Sequence, residues 1–550
     1  MRGGRHNGSV THPFPLPEPT PEAADRLRAA LLDARFTADG LLDLLGAPAY
    51  AALSRSETVP ASRATRGGGP LATLVRLFLL RQPVSAEQAY AALPGEEALA
   101  DGWLVRVEQT GDETRARVPY GADVPDAVRA TVDIRPYSGP AGQDWWIVSD
   151  LGRAVGGAAG AGRAGGPAPE LPDPGADVVL GVGGASTTLA GLTVRGPVAR
   201  ALDLGTGSGI QALHAAQHAA HVVATDLNPR ALRMTRLTLA LSGAAPADLR
   251  EGSLFEPVAD EGPFDLIVSN PPFVISPARG AEDRLTYRDG GMSGDDLCRT
   301  LVERAADHLA DGGYCQLLAN WEHREGEDWR DRVTSWVPPG CDAWIVQREV
   351  QDVAQYAELW LRDAGDHVGG EHADGPEGYA ARYGAWLDEF EARGTTAVGF
   401  GWITVRATSA ETPSVIAEEW PHPVEQPLGD VVRAHFDRQD FLRGTDDAAL
   451  LSWHFRLADE VVQEQVGLPG AEDPEHVVLR QHRGMRRATK VDTVGAGFAG
   501  VCDGSLPAGR ILDAIAQLLG EDPVRLRDST PEQIRELVAQ GFLLPVPEPS

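Results

Sequence analysis

The stretch "ALDLGTGSGIQALHAA", residues 201–216, decides the fold. It opens as a short apolar strand with Asp203 inside its end, turns at Gly205, Gly207 and Gly209, and continues with helical spacing. Glycine reaches backbone angles closed to other residues, so this run predicts a sharp strand-to-helix turn whose main chain a ligand can approach closely. The spacing is GxGxG. Ile210 occupies the position where a dinucleotide-binding GxGxxG turn has its last glycine, which argues against a pyrophosphate cradle.

Outward from this turn, "ARALDLG", "HVVATDL", "FDLIVSN", "GYCQLLAN", "DAWIVQRE" and "VGFGWITV" are short and nearly continuous in apolar residues. Strands buried on both faces read this way. Helical spacing at 210–220, 229–241, 295–310, 326–336 and 352–363 separates them, which predicts a doubly wound, mainly parallel α/β domain over residues 178–410. Asp226 ends the second strand, where a carboxylate can accept hydrogen bonds from both hydroxyls of a ribose, so an adenosine-containing ligand is implied. The fourth strand of such a sheet breaks within "DLIVSNPPFVIS", residues 265–276. Pro271 and Pro272 have no N–H to donate, so the ladder stops at the carboxyl edge that also carries Asp203 and Asp226. There the Asn270 side chain and the Pro271 carbonyl offer acceptors, and Phe273 offers a flat face.

Taken in order, "DLGTGSG", "ATDLN", "EGSLFEP" and "NPPF" resemble the class I S-adenosylmethionine-dependent methyltransferases, in the amino-methylating branch with an (N/D)PP(Y/F) motif. That branch includes release-factor glutamine methyltransferases and the N6-adenine and N2-guanine methyltransferases of RNA and DNA. The resemblance implies a Rossmann-like, seven-stranded sheet, S-adenosyl-L-methionine as cofactor, and methylation of a planar, conjugated nitrogen. It places Asp203, Gly205, Gly207 and Gly209 on the methionine side of the cofactor and Asp226 at its ribose. Ser253 stands where relatives usually have an aspartate against the adenine amine, and a serine hydroxyl can still accept a hydrogen bond. Asn270, Pro271, Pro272 and Phe273 become the catalytic clamp, with Asn270 also beside the cofactor. "YRDGGMSGDDL" at 287–297 is similar to the family's acidic loop after that motif, and "LGVGGASTTLA" at 180–190 to a loop that closes over the cofactor.

The 550 residues exceed what one core serves, and 62 Gly with 41 Pro imply long loops. The expected organisation is a disordered tail (1–24), an N-terminal α+β domain (25–150), a flexible Gly/Ala linker (151–177), the α/β domain (178–410) and a helix-rich C-terminal domain (411–550). In the N-terminal domain Leu71, Leu74, Val75, Phe78 and Leu79 share a helix face, Ser85 reads as an N-cap, and a hairpin is expected around Thr110-Gly111-Asp112. Helices followed by a hairpin suggest a winged helix, and the C-terminal domain reads similarly.

A formal charge of -30 disfavours a wide nucleic-acid grip. Two acid-free stretches run against it: residues 58–86, with Arg63, Arg66, Arg76 and Arg81, and "RQHRGMRRATK" at 480–490. Both are candidates for phosphate contact. The expected partner is therefore nucleic acid, RNA before DNA, or a protein substrate, with a small-molecule amine as a third alternative. Cys298, Cys315, Cys341 and Cys502 lack metal-ligand or disulfide spacing, and no window has the run of about 18 apolar residues of a membrane span. A cytoplasmic protein without membrane association is expected. His214 and His218 are four apart on one helix, but no further ligand has suitable spacing, so no metal is expected.

Overall fold

The computed structural model describes residues 15–55, 57–107, 126–150, 178–277, 291–363, 375–469 and 476–547. The start of the expected tail, the turn at Thr110-Gly111-Asp112, the Gly/Ala linker at 151–177 and Tyr287–Gly290 of the acidic loop lie outside the described residues. Contacts divide the chain into two units, residues 1–190 with 196–419, and residues 191–195 with 420–550.

The first unit opens with helices α1 (Pro21–Asp33) and α2 (Ala38–Ser54), each started by a threonine whose hydroxyl accepts an amide of the first turn. Helices α3 (Val59–Ala64) and α4 (Pro70–Leu74) follow, the latter running into a wider turn over Val75–Leu79. Strand β1 (Val84–Ser85) leads into α5 (Ala86–Ala92), where Ser85 and Gln88 make a reciprocal capping box. Helix α6 (Gly95–Ala100) and strands β2 (Leu104–Arg106) and β3 (Ala127–Ala130) complete an antiparallel sheet of order β1-β3-β2. Strands β4 (Asp133–Ser138) and β5 (Asp144–Ser149) form a separate hairpin.

The main sheet begins after α7 (Gly184–Leu192). Its elements are β6 (Val198–Leu204), α8 (Ile210–Ala215), β7 (Ala219–Asp226), α9 (Pro229–Leu241), β8 (Asp248–Glu251), β9 (Phe264–Ser269), α10 (Asp296–Ala305) and β10 (Leu309–Arg324). Then come α11 (Trp329–Thr334), β11 (Cys341–Asp352), α12 (Val353–Asp363), α13 (Gly375–Arg393), β12 (Thr395–Ala407) and β13 (Val415–Glu419). The strand order is β13-β11-β12-β10-β9-β6-β7-β8. Only β12 runs against its neighbours, so the mainly parallel α/β reading holds.

Among the described residues the sheet has eight strands rather than seven. The eighth, β13, adds to the edge beside β11, where the Trp344 indole N–H donates to Glu418 at 2.7 Å. Its sequence "VIAEE" and the "DLRE" of β8 at the opposite edge lack the continuous apolar run of the central strands. Edge strands face solvent along one side and tolerate charge, which is why neither stands out by pattern.

The N-terminal elements and the sheet share a core. Leu27, Leu31, Phe36, Phe78, Trp103 and Trp146 cluster with Met234, Leu237 and Leu241 of α9. Hydroxyls of the α9 side seal the exposed edge of β5: the Trp146 amide donates to Ser242 and the Val148 amide to Thr238, both at 3.0 Å. The buried Trp146 indole donates to the Phe36 carbonyl at 2.8 Å, which satisfies its N–H inside the core.

The second unit contains α14 (Gly429–Arg443), α15 (Asp447–Ser452), β14 (His454–Leu457), β15 (Val461–Val466), β16 (His476–Gln481) and β17 (Ala488–Val491). It continues with α16 (Thr493–Val501), β18 (Asp503–Pro507), α17 (Ala508–Leu519), α18 (Pro523–Ser529), α19 (Pro531–Ala539) and β19 (Leu543–Val546). Two three-stranded sheets, β18-β14-β19 and β15-β16-β17, frame a core that includes Phe455, Phe498, Leu512, Leu537 and Phe542.

Candidate active site

The glycine turn after β6 is built as its sequence demands. Gly205, Gly207 and Gly209 have φ of 75°, 57° and 82°, a region that side chains disfavour. A Cβ on Gly205 or Gly207 would meet nothing within 4 Å, so these two line open space, whereas one on Gly209 would strike Thr235 at 2.9 Å. Openness at the first two is what a bound ligand requires. Closeness at the third seats α8 against α9.

Asp203 is buried beneath this turn. Its Oδ2 accepts from the Thr206 hydroxyl at 2.7 Å and the Ala212 amide at 2.8 Å, while its Oδ1 has no partner among the described residues. Burial pushes the carboxyl up to about 7, with the two hydrogen bonds opposing and the charge of Asp226 adding to the rise. Asp226 accepts the Gly207 amide at 2.9 Å and the Asn228 amide at 2.8 Å, one on each oxygen. A carboxylate has about four acceptor sites, so Asp226 keeps acceptor capacity for a hydroxyl. Burial raises this carboxyl too, against the backbone amides that lower it.

Ser253 lies in the loop after β8, half-buried, with its carbonyl accepting the Glu256 amide at 3.0 Å. The preceding Gly252 donates its amide to the Asp226 carbonyl at 3.0 Å, which ties this loop to the end of β7.

The third component stands on β9. Ser269 donates its hydroxyl to the Leu204 carbonyl at 2.8 Å, locking the end of β9 to that of β6. The next residue, Asn270, has a buried Oδ1 without a partner among the described residues, and its Nδ2 lies 3.5 Å from the Ser186 hydroxyl. Ser186 belongs to the stretch at 180–190, and its carbonyl also accepts from the Gln211 side chain at 2.8 Å. The Pro271 carbonyl accepts the Phe273 amide at 2.8 Å, a tight turn that leaves one lone pair on that oxygen. Pro272 and Phe273 are half-buried, and the phenyl ring packs on the main core beside the sheet.

The carboxyl ends of β6, β7 and β9 are adjacent in the sheet, so Asp203, the three glycines, Asp226 and Asn270 share one edge. Three participants had no visible motif. Ser269 and Asn320 read only as strand and Tyr356 only as helix, and all three are buried. The histidines take other roles: the His214 Nε2 lies 3.0 Å from the Tyr137 hydroxyl between two aromatic rings, and the His218 Nδ1 lies 3.1 Å from the Gly196 carbonyl. Among the described residues no group of three His, Cys, Asp or Glu could hold a metal.

Residues 184–328 match a protein family described as the methyltransferase small domain. Over this segment the chain is similar to that methyltransferase domain. The resemblance to class I S-adenosylmethionine-dependent methyltransferases therefore holds over the segment that contains the glycine turn, Asp226 and Asn270. Residues 33–117 and 433–545 match two families described as domains of unknown function.

Curated relatives agree. The release factor glutamine methyltransferase of Deinococcus radiodurans is 43% identical over 122 residues, covering 21% of this chain and 43% of the relative. The ribosomal protein uL3 glutamine methyltransferase of Bradyrhizobium diazoefficiens is 38% identical over 132 residues, 22% of this chain and 41% of the relative. The ribosomal RNA small subunit methyltransferase C of Salmonella arizonae is 32% identical over 123 residues, 22% of this chain and 31% of the relative. The chain thus spans less than half the length of each of these relatives. A solved methyltransferase structure from Pyrococcus furiosus matches at 22% identity and a TM-score of 0.22, over 30% of this chain and 74% of that one. Among the described residues no helix is long and apolar enough to cross a membrane.

Proposed function

We propose that the protein is an S-adenosylmethionine-dependent N-methyltransferase acting on a planar, conjugated nitrogen. The observation that carries this is the buried Oδ1 of Asn270, which has no partner among the described residues and is set at the sheet edge beside the Pro271 carbonyl. A buried acceptor without a donor is costly, and a bound N–H group would satisfy it. The residues fit the cofactor: Gly205 and Gly207 leave main chain open, the Asp203 Oδ1 has no partner among the described residues, and Asp226 retains acceptor capacity. S-adenosylmethionine supplies the electrophilic sulfonium methyl group when bound.

The chain's part is to orient a poor nucleophile. Amide and exocyclic amine nitrogens are conjugated, so their lone pairs are delocalised. By accepting one N–H at Asn270 and the other at the Pro271 carbonyl, the clamp favours a pyramidal nitrogen and stabilises the positive charge that develops on it. Phe273 stacks on the planar group, a contact worth roughly 1 to 3 kcal/mol for a nucleobase. No strong base is needed before transfer, because the proton leaves afterwards. Asp226 holds the ribose in this reading, and Asp226→Ala should weaken S-adenosylmethionine binding about ten- to a hundredfold by calorimetry, the scale of a hydrogen bond to a charged group. Unchanged affinity would remove the ribose assignment.

The target is an exocyclic amine of a nucleic-acid base, RNA before DNA, or a protein glutamine. Exposed Arg486 and Lys490 favour the first. The second gains from ion pairs that occupy the same basic stretch: Arg480 grips Glu464 through two bonds of 2.7 and 2.9 Å, and Arg483 pairs with Glu460. Glu96 and Glu97 in the first turn of α6 likewise oppose a phosphate backbone at that helix. Incubating the chain with labelled S-adenosylmethionine and, separately, RNA, DNA and cell protein should place label in one pool. Label in none, with Asn270→Ala indistinguishable from the wild type, would end the enzymatic reading. Four buried, free thiols support a reducing, cytoplasmic location.

A further inference from the structure

Phe273 and the two residues after it are gripped from opposite sides. The phenyl ring packs on the main sheet core, whereas Val274 and Ile275 join a second cluster with Tyr356, Trp386, Phe390 and Val398. That cluster belongs to the helices α12 and α13, inserted between β11 and β12, and to β12 itself. At its centre the Tyr356 hydroxyl accepts the Ile275 amide and the Asn320 side-chain amide, each at 2.9 Å. All three residues are buried. Four aromatic rings surround the phenol, those of Trp360, Trp386, Phe390 and Phe400, at 5.5 to 6.1 Å.

Asn320 stands on β10, the neighbour of β9 in the sheet, a few residues past the pair Leu317–Ser269. One oxygen therefore joins three segments: the chain five residues after Asn270, the end of β10, and the inserted helix α12. We propose that Tyr356 is a positioning residue of the amine clamp, a strut that fixes the path of the chain from Asn270 to Ile275 and so the plane of Phe273. This rests on the function proposed above. Two prolines already restrict that path near its start, and the strut restricts it at its other end. Burial pushes the phenol well above its usual range, so the strut stays a neutral hydroxyl at any working pH. The neighbouring Cys298 thiol, pushed up to about 12 by burial, stays neutral as well.

The test is Tyr356→Phe in the full chain. The ring and its aromatic contacts remain, and the shared acceptor is lost. Methyl transfer into the pool that the wild type labels should fall about ten- to a hundredfold, since displacements near 1 Å in a reactive geometry cost up to that much. S-adenosylmethionine affinity by calorimetry should stay within about twofold, because the cofactor residues stand on other loops. The ratio of variant to wild-type rate should be flat between about pH 6.5 and 8.5, and the Ile275 amide should exchange hydrogen faster. Asn320→Leu, which removes one arm, should lower the rate in the same direction.

A variant rate within twofold of wild type, or an unchanged exchange rate at Ile275, would overturn the strut. Equal losses of cofactor affinity and rate would also overturn it, by showing a general structural role. A wild-type chain that binds S-adenosylmethionine and labels no pool would instead overturn the function itself, and the clamp with it.

Discussion

Asn270→Ala is expected to slow methyl transfer by a factor of about a hundred to a thousand while S-adenosylmethionine binding stays within about twofold. That factor matches the loss of one preorganised hydrogen-bonding group aimed at developing charge. Asn270 is well placed for such a role because its buried Oδ1 has no partner among the described residues, while Ser269 anchors the preceding position to Leu204. The Nδ2 contact to Ser186, at 3.5 Å, is too long to hold the side chain strongly. Alanine there should therefore leave the turn intact and remove only the acceptor.

Single-turnover incorporation of labelled methyl, with saturating cofactor, separates the alternatives. A fall in rate at constant cofactor affinity assigns Asn270 to the nitrogen. Parallel loss of both would place it at the cofactor or in the fold. Asn270→Asp keeps an acceptor and should retain more activity than alanine, which a pure packing role does not predict.

The central strands and the glycine turn were legible because their constraints are local. Positive φ at Gly205, Gly207 and Gly209 selects glycine wherever the rest of the chain lies, and Pro271-Pro272 must end a ladder in any fold. The edge strands β8 and β13 were not legible, because pairing on one side does not demand an apolar run. The shared core of α9 with the N-terminal helices was hidden for another reason. Leu237 and Leu241 show that α9 buries a face, and nothing local says that Phe36 and Trp146 cover it. Tyr356 and Asn320 escaped for the same reason, since their meeting with Ile275 spans 81 and 36 positions in the chain. The basic stretch at 480–490 was misleading in part, because Arg480 and Arg483 find Glu464 and Glu460 on and beside the neighbouring strand β15.

The second large effect concerns pH, and it follows from Asp203. Its carboxyl is raised to about 7, whereas an unfolded aspartate titrates near about 3.9, so the native state holds this proton more tightly. The resulting stabilisation is complete below the unfolded value and is lost as pH rises through the folded one. At about 1.36 kcal/mol per pH unit, that loss reaches at most about 4 kcal/mol. The thermal midpoint of the cofactor-free chain should fall between about pH 4 and 7, and Asp203→Asn should flatten that part of the profile. A wild-type profile that the substitution leaves unaltered would mean that Asp203 is ionised throughout. Cofactor binding supplies an independent check. If Asp203 faces the methionine ammonium, as the resemblance implies, the ionised form is favoured on binding and a proton leaves. Calorimetry near pH 7 in two buffers of different ionisation enthalpy should then show release of a fraction of a proton per site in the wild type and none from this position in Asp203→Asn. Equal proton release by both would move the methionine end away from Asp203, while leaving Asp226 and Asn270 as the ribose and amine sites.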